Sequence, residues 1–262
     1  MKSIFDNKAA RLFYILGGFF VANALVAEFV GVKIFSVEQS FGFESFNWTI
    51  AGIEGLGLNM SAGSILWPVV FVMTDVINEY FGKRGVKLLS YFTVILILYA
   101  FFMVYFAISL SPENWWENIS GLNEVNPESS IANMNVAFSK IFGQGMWIII
   151  GSLVAFMVGQ IVDVFTFHKI KSWTGEKKIW LRATGSTLVS QFIDSFVVLF
   201  IAFYIGADWD LVRVLVIGCV GYIYKFSLAI LLTPIIYIAH YLIDNYLGAE
   251  LAAKLKSDAQ TT

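Results

Sequence analysis

The stretch Trp67-Pro-Val-Val-Phe-Val-Met-Thr-Asp75-Val-Ile-Asn78-Glu79-Tyr-Phe-Gly82-Lys83-Arg84 decides how this chain is read. It is an apolar run of helical length that carries Asp75, Asn78 and Glu79. At i, i+3 and i+4 these side chains leave one face of a helix. Carboxylates and amides inside a hydrophobic span are expensive, so they face a polar cavity, a partner or a substrate rather than lipid. Lys83 and Arg84 follow at once and mark the side on which the run meets water.

The rest of the composition agrees with a membrane setting. Apolar residues make up 58% of the 262 residues and charged residues 14%, against roughly 45–50% and 25% in soluble domains. Mean hydropathy is +0.74, and a globular surface of this size needs more charge than that. The expected fold class is therefore all-α, a polytopic protein of the lipid bilayer. The net charge of −2 says little, because in a membrane protein the placement of charge matters more than its sum. Basic residues are scattered over short loops without a patch or tail, so no nucleic-acid partner is expected. Cys219 stands alone in an apolar run, which leaves no disulfide framework and no cysteine metal site. Lys2, Lys8 and Arg11 precede an apolar stretch that is too long for a signal-peptide core and lacks a small-residue cleavage site. It reads as a retained first helix.

A span needs about 20 mainly apolar residues to cross roughly 30 Å of hydrocarbon. Six windows qualify: about 12–36, 61–82, 87–110, 142–167, 184–206 and 211–243. They are read as one transmembrane domain over 1–262. Alternate connections carry Lys2, Lys8, Arg11, Lys83, Arg84, Lys87, Lys169, Lys171, Lys177, Lys178, Arg182, Lys254 and Lys256. The others hold only Lys140 among basic residues and are rich in Glu38, Glu44, Glu54, Glu113, Glu117, Glu124, Glu128, Asp208 and Asp210. This bias places both termini in the cytoplasm of an inner-membrane protein. The Gly-punctuated 37–60 connection suggests a short β-hairpin or re-entrant flap on the outer face. The 111–130 stretch, with Trp115 and Trp116, is expected as an outer loop whose tryptophans sit at the headgroup boundary.

Polar residues within the spans form a second pattern. Gln160-Ile-Val-Asp163 and Gln191-Phe-Ile-Asp194 repeat Gln-x-x-Asp spacing 31 positions apart, each pair sharing a helix face. Counted at about 1.5 Å per residue, these groups and Asp75, Asn78 and Glu79 reach overlapping depths on three spans. Lys225 lies about 14 residues past the outer end of the last span, near mid-depth. A lone ammonium there costs at least ~2.5–3.5 kcal/mol, so it should pair with Asp194 or, failing that, Glu28. Asn23, Glu28 and Lys33 are the polar groups of the first span.

Structural readings stand beside each of these. Glu79 and Asp163 lie within about a turn of the expected boundary and could simply reach water. Lys225 with its partner could be a helix-locking ion pair, and Gln160 and Gln191 could be interhelical hydrogen-bond glue worth about 0.6 kcal/mol each, up to ~2. Pro68 and Pro234 read as tolerated kinks. His168 and His240, both at expected cytoplasmic ends, make a poor metal site.

Catalytic signatures such as His-Glu-x-x-His, Gly-x-Ser-x-Gly and Cys-x-x-Cys do not occur, and no phosphate-binding Gly-x-x-x-x-Gly-Lys loop does either. The chain is expected to be a transporter rather than an enzyme, with no cofactor. The proline-containing run leading into Thr74-Asp75, Glu79, Gly82 and then Lys83-Arg84 resembles the signature of the queuosine precursor transporters, the vitamin uptake transporter (VUT) family. The two Gln-x-x-Asp segments also fit, so the resemblance covers most of the chain. It implies import of 7-cyano-7-deazaguanine or 7-aminomethyl-7-deazaguanine for tRNA queuosine salvage. It also implies likeness to the six-helix membrane subunits of energy-coupling vitamin importers.

The chemistry suits such a cargo. A carboxylate can accept together from the ring N–H and exocyclic amine of a guanine-like edge, and Gln, Asn or Lys can donate to its carbonyl. The expected substrate residues are Asp75, Asn78, Glu79, Gln160, Asp163, Gln191, Asp194 and Lys225, with Trp67, Phe71, Phe196 and Tyr224 as apolar walls. One alternative is a substrate-binding subunit for another vitamin that works with a separate ATPase motor. Another, a lipid- or isoprenoid-processing enzyme, needs paired carboxylates that neither Gln-x-x-Asp segment supplies.

Overall fold

The computed structural model describes residues 7–119, 130–175 and 178–261. Lys2, Glu124, Glu128 and Lys177, which bore on the expected topology, lie outside them. Helix α1 (Lys8–Val30) starts where the Asn7 side chain accepts from the Ala9 and Ala10 N–H groups at 3.0 and 3.3 Å, a helix N-cap. Leu12, Leu16, Phe20, Ala24 and Ala27 are buried along one stripe, while Tyr14, Ile15, Phe19 and Val26 face outward. Large exposed apolar side chains on a long helix need lipid, not water.

The connection that follows contains the expected hairpin. Strands β1 (Ile34–Ser36), β2 (Trp48–Ile50), β3 (Ile53–Leu56) and β4 (Asn59–Ser61), with the short helix α2 (Val37–Ser40), form two nested antiparallel ribbons, β1 with β4 and β2 with β3. Ala51 and Gly52, at φ 51° and 80°, turn β2 into β3, as the two-residue turn of a twisted ribbon requires. Buried Glu38 ties the ribbons together by accepting from the Leu58 N–H and the Ser36 hydroxyl, both at 2.8 Å.

A 3-10 turn (Ala62–Ile65) leads into α3 (Trp67–Ser109). Pro68 sits in its first turn, where its missing N–H costs nothing. The expected cytoplasmic connection at 82–88 shrinks to a single residue, Gly82, whose φ of 66° and ψ of −171° break the helix and suit only glycine. Lys83, Arg84 and Lys87 are good helix formers, so the helix resumes at once. Short helices α4 (Asn114–Glu117) and α5 (Met134–Phe142) follow, then α6 (Met146–Thr174) and α7 (Ile179–Leu199), which continues as a π-helical turn at Phe200–Ile205. Helix α8 (Leu211–Leu247) and the polar α9 (Ala249–Thr261) complete the chain's described elements.

Helices dominate, and among the described residues five helical segments are long and apolar enough to cross a membrane. The windows expected at 61–82 and 87–110 fall within one of them, 62–109, divided at Gly82. The expected 167–183 connection is also shorter than its charges suggested. Helix α6 runs on to Thr174 and α7 begins at Ile179, so Lys171 and Arg182 are helical and buried. The main core packs the α1 stripe against Val76, Ile77, Tyr80, Leu89 and Ile97 of α3, with Leu153 and Phe156 of α6 and Ile243 and Leu247 of α8. Leu251 and Leu255 of α9, an element the sequence did not announce, also pack on it.

Candidate functional site

The first half of α3, together with α6, α7 and α8, brings the expected polar residues into the protein's interior. Close packing comes from small residues. A Cβ on Gly159 would meet the Phe71 ring at 3.3 Å and the Asp194 Cβ at 3.7 Å, and one on Gly151 would meet the Val198 carbonyl oxygen at 3.1 Å. Glycine on α6 thus lets α3 and α7 approach closely enough for short side chains to meet. Asp75 is 1% exposed, Gln160 2%, and Asn78, Glu79, Asp163 and Gln191 are 0% exposed. The idea that Glu79 and Asp163 reach water is therefore wrong. Neighbouring helices cover both, because their connection is too short to leave a vestibule there.

Glu79 is held most firmly. Arg182 of α7 donates to it bidentately, Nε to Oε2 at 3.1 Å and Nη2 to Oε1 at 2.8 Å, and Lys171 of α6 stands 3.2 Å from Oε1. The remaining Arg182 amine donates to the Gly175 carbonyl at 2.8 Å, and its guanidinium lies over the Phe167 ring. The planar fork of arginine matches a carboxylate edge, which is why such a pair survives without water. Beside it, Asn78 Oδ1 meets His168 Nε2 at 2.9 Å. Tyr80 donates to Asp244 at 2.8 Å and contacts His240 Nδ1 at 3.0 Å.

Above this layer lie two carboxyl groups with no cationic partner among the described residues. Asp75 accepts from Ser186 at 3.1 Å on Oδ1 and from Thr187 at 3.0 Å on Oδ2. Asp163 accepts from Ser190 at 3.0 Å on Oδ1, while its Oδ2 is buried without a hydrogen-bond partner. Gln160 joins Thr74 and Ser90 across three contacts of 3.1–3.3 Å. Gln191, fully buried, has no partner for either its amide nitrogen or its oxygen, and the Asn78 Nδ2 also has none. Buried polar groups left unsatisfied cost about 1–3 kcal/mol each, so a folded protein keeps them where a water, an ion, a substrate or a strained contact accounts for them.

Further along α7, Lys225 of α8 donates to Asp194 at 2.7 Å, with side chains 12% and 13% exposed. This is the first of the two pairings expected from sequence. Glu28 instead accepts from Ser152 of α6 at 2.9 Å, and its other oxygen is an unpartnered buried atom. Of the expected walls, Trp67 packs on Phe156 and Phe71 fills the space at Gly159. Phe196 turns to Phe192 and Gly218 instead.

Sequence reasoning missed Lys171 and Arg182, taken as loop residues, and the hydroxyls of Ser186, Thr187 and Ser190. A signal for them existed. Arg182, Ser186 and Ser190 recur every fourth residue on α7, with Thr187, Gln191 and Asp194 alongside, so one stripe of that helix is polar throughout. Serine and threonine are common in apolar helices, however, and individually carry little weight.

A family model described as "Putative vitamin uptake transporter" matches residues 61–239, more than half of the chain. The chain is 28% identical to the "Probable queuosine precursor transporter" of Bacillus subtilis over 200 residues, 74% of this chain and 77% of that protein. It is 26% identical over 153 residues to the "Queuosine precursor transporter" of Escherichia coli, 58% of this chain and 59% of that protein. The "Probable queuosine precursor transporter" of Haemophilus influenzae is 24% identical over 172 residues, 65% and 63%. No solved structure matches the chain.

Proposed function

The chain belongs to the vitamin uptake transporter family, and on that premise we propose that it imports queuosine precursors across the cell inner membrane for tRNA queuosine salvage. The cargo is 7-cyano-7-deazaguanine or 7-aminomethyl-7-deazaguanine. The observation that carries this reading is the group of partnerless buried polar atoms on the polar faces of α3, α6 and α7: Asn78 Nδ2, Asp163 Oδ2 and both ends of the Gln191 amide. An acceptor for ring N–H and amine, plus amide donors for a carbonyl, complement a guanine-like edge. A cargo lacking that edge leaves them unpaired, which is how such a site selects.

Asp75, Asn78, Glu79, Gln160, Asp163, Gln191, Asp194 and Lys225 form or support the substrate site, with Phe71 as a wall beside Gly159. The site is closed over in this conformation, so cargo enters when the helices around it part. Gly82 divides α3 into two crossings. The protein then has six spans with both termini in the cytoplasm, the arrangement of the membrane subunits of energy-coupling vitamin importers. A single unbroken α3 of 43 residues would extend about 65 Å, twice the hydrocarbon thickness.

The test is a queuosine-auxotrophic host supplied with either precursor, with and without this gene, followed by assay of tRNA for queuosine. Queuosine appearing only with the gene is expected. Equal queuosine in both strains would overturn the reading. Co-purification of ATPase subunits with the chain would make it the binding subunit of a motor-driven importer.

A further inference from the structure

We infer that import is coupled to protons, and that Asp75 and Asp163 form the carboxyl pair that holds the coupling proton. This rests on the import reading above and adds its energy source. The two side chains meet the same polar stripe of α7 from α3 and α6: Asp75 accepts from Ser186 and Thr187, and Asp163 accepts from Ser190 one turn further on. Both are buried, and among the described residues no Lys, Arg or His forms an ion pair with either. Two neighbouring carboxylates without counter-charge repel strongly where water is excluded. One proton between them removes that repulsion.

The surrounding hydroxyls accommodate either proton state. Ser190 Oγ lies 3.0 Å from Asp163 Oδ1 and 3.1 Å from the Thr187 carbonyl oxygen. Ser186 Oγ lies 3.1 Å from Asp75 Oδ1 and 3.0 Å from the Ala183 carbonyl oxygen. Each hydroxyl has one hydrogen and two acceptors in reach. Facing an ionised carboxylate, it donates to that carboxylate. Facing a carboxylic acid, it donates to the backbone carbonyl and accepts a hydrogen bond from the acid's O–H, so no hydrogen bond is lost in either state. A purely structural carboxyl would be served by fixed donors such as the arginine on Glu79.

Asp163 can hold proton and cargo together. With the proton on Oδ1 toward Ser190, the unpartnered Oδ2 remains an acceptor for a cargo N–H. Proton and cargo therefore load in one state and move in the same direction. The other charged and titratable groups around the pair are engaged elsewhere. Glu79 on α3 is bound by Arg182 of α7 and Lys171 of α6, His168 of α6 by Asn78, Asp194 of α7 by Lys225 of α8, and His240 of α8 by Tyr80. Beyond Asp194, Glu28 of α1 carries a second orphaned carboxyl oxygen and extends the line of carboxyls toward the other end of the bundle. Chains of buried carboxyls are how transporters pass protons.

The test uses the full chain purified into liposomes containing a pH-sensitive dye, with tritiated 7-cyano-7-deazaguanine outside. An inward proton gradient of about two pH units should drive accumulation above the external concentration, up to about tenfold per unit for one proton. The lumen should acidify only when cargo is added, and a protonophore should abolish accumulation. Asp163→Asn, and separately Asp75→Asn, fixes one member of the pair as a neutral group. Cargo-dependent acidification of the lumen and gradient-driven accumulation should both be lost in each variant, and whatever counterflow remains, the exchange of labelled for unlabelled cargo, should not respond to the gradient. Wild-type counterflow that ignores the gradient overturns proton coupling and leaves import standing. No counterflow by folded wild-type protein overturns both. Gradient-driven accumulation or cargo-dependent acidification retained in both variants places the proton elsewhere and overturns the assignment to this pair.

Discussion

Replacing Glu79 by glutamine tests whether the layer around it is held by charge. The substitution keeps the shape but removes the acceptor charge for three contacts, at 2.8, 3.1 and 3.2 Å. Arg182 and Lys171, 0% and 6% exposed, then face each other across a neutral amide. Breaking a buried ion pair from one side costs about 3–5 kcal/mol. Arg182→Gln should cost less, about 2–3 kcal/mol, because Lys171 still contacts the carboxylate. Lys171→Gln should cost about 1 kcal/mol, because the bidentate pair persists. At roughly 2–4 °C per kcal/mol for a chain of this size, Glu79→Gln lowers the thermal midpoint by about 6–20 °C and Lys171→Gln by about 2–4 °C. Heating detergent-solubilised protein and measuring what survives size exclusion reads this order directly. Adding Lys171→Met to Glu79→Gln should recover part of the loss by relieving the repulsion. If Lys171→Gln destabilises as much as Glu79→Gln, or if the second substitution makes matters worse, the charge argument fails.

Lys225→Met should leave Asp194 in a poorly solvated site and lower stability by about 3 kcal/mol, whereas Lys225→Met with Asp194→Asn should regain most of it; a double variant no better than the worse single would refute the pairing, read by the same thermal assay. Gly82→Ala forces a side chain into a conformation that costs about 1–3 kcal/mol, so a lower midpoint is expected, and an unchanged one would show that the break in α3 does not need glycine. Cysteines introduced at Glu44 and Lys254, both exposed, test the topology: impermeant maleimide on sealed cells should label the first and spare the second, and labelling of Lys254→Cys would reverse the orientation.

Much was decided by the sequence alone. The apolar excess and scarcity of charge require lipid around the helices, and that follows from composition without any contact. The spacing of Asp75, Asn78 and Glu79, and of the two Gln-x-x-Asp segments, places each set on one helix face because 3.6 residues make a turn. The high cost of a lone ammonium made a partner for Lys225 necessary, and Asp194 fills that role. Pairing across helices was a different matter. Arg182 and Lys171 read as loop charges, since hydropathy ends a span at its first basic residues, yet both are drawn inside by Glu79, 103 residues before Arg182. Which oxygen of Asp163 is left open and why Gln191 has no partner depend on how far each helix is rotated about its axis and on the glycines that let α6 close on its neighbours. Those quantities arise from packing among segments distant in sequence, and no local period encodes them.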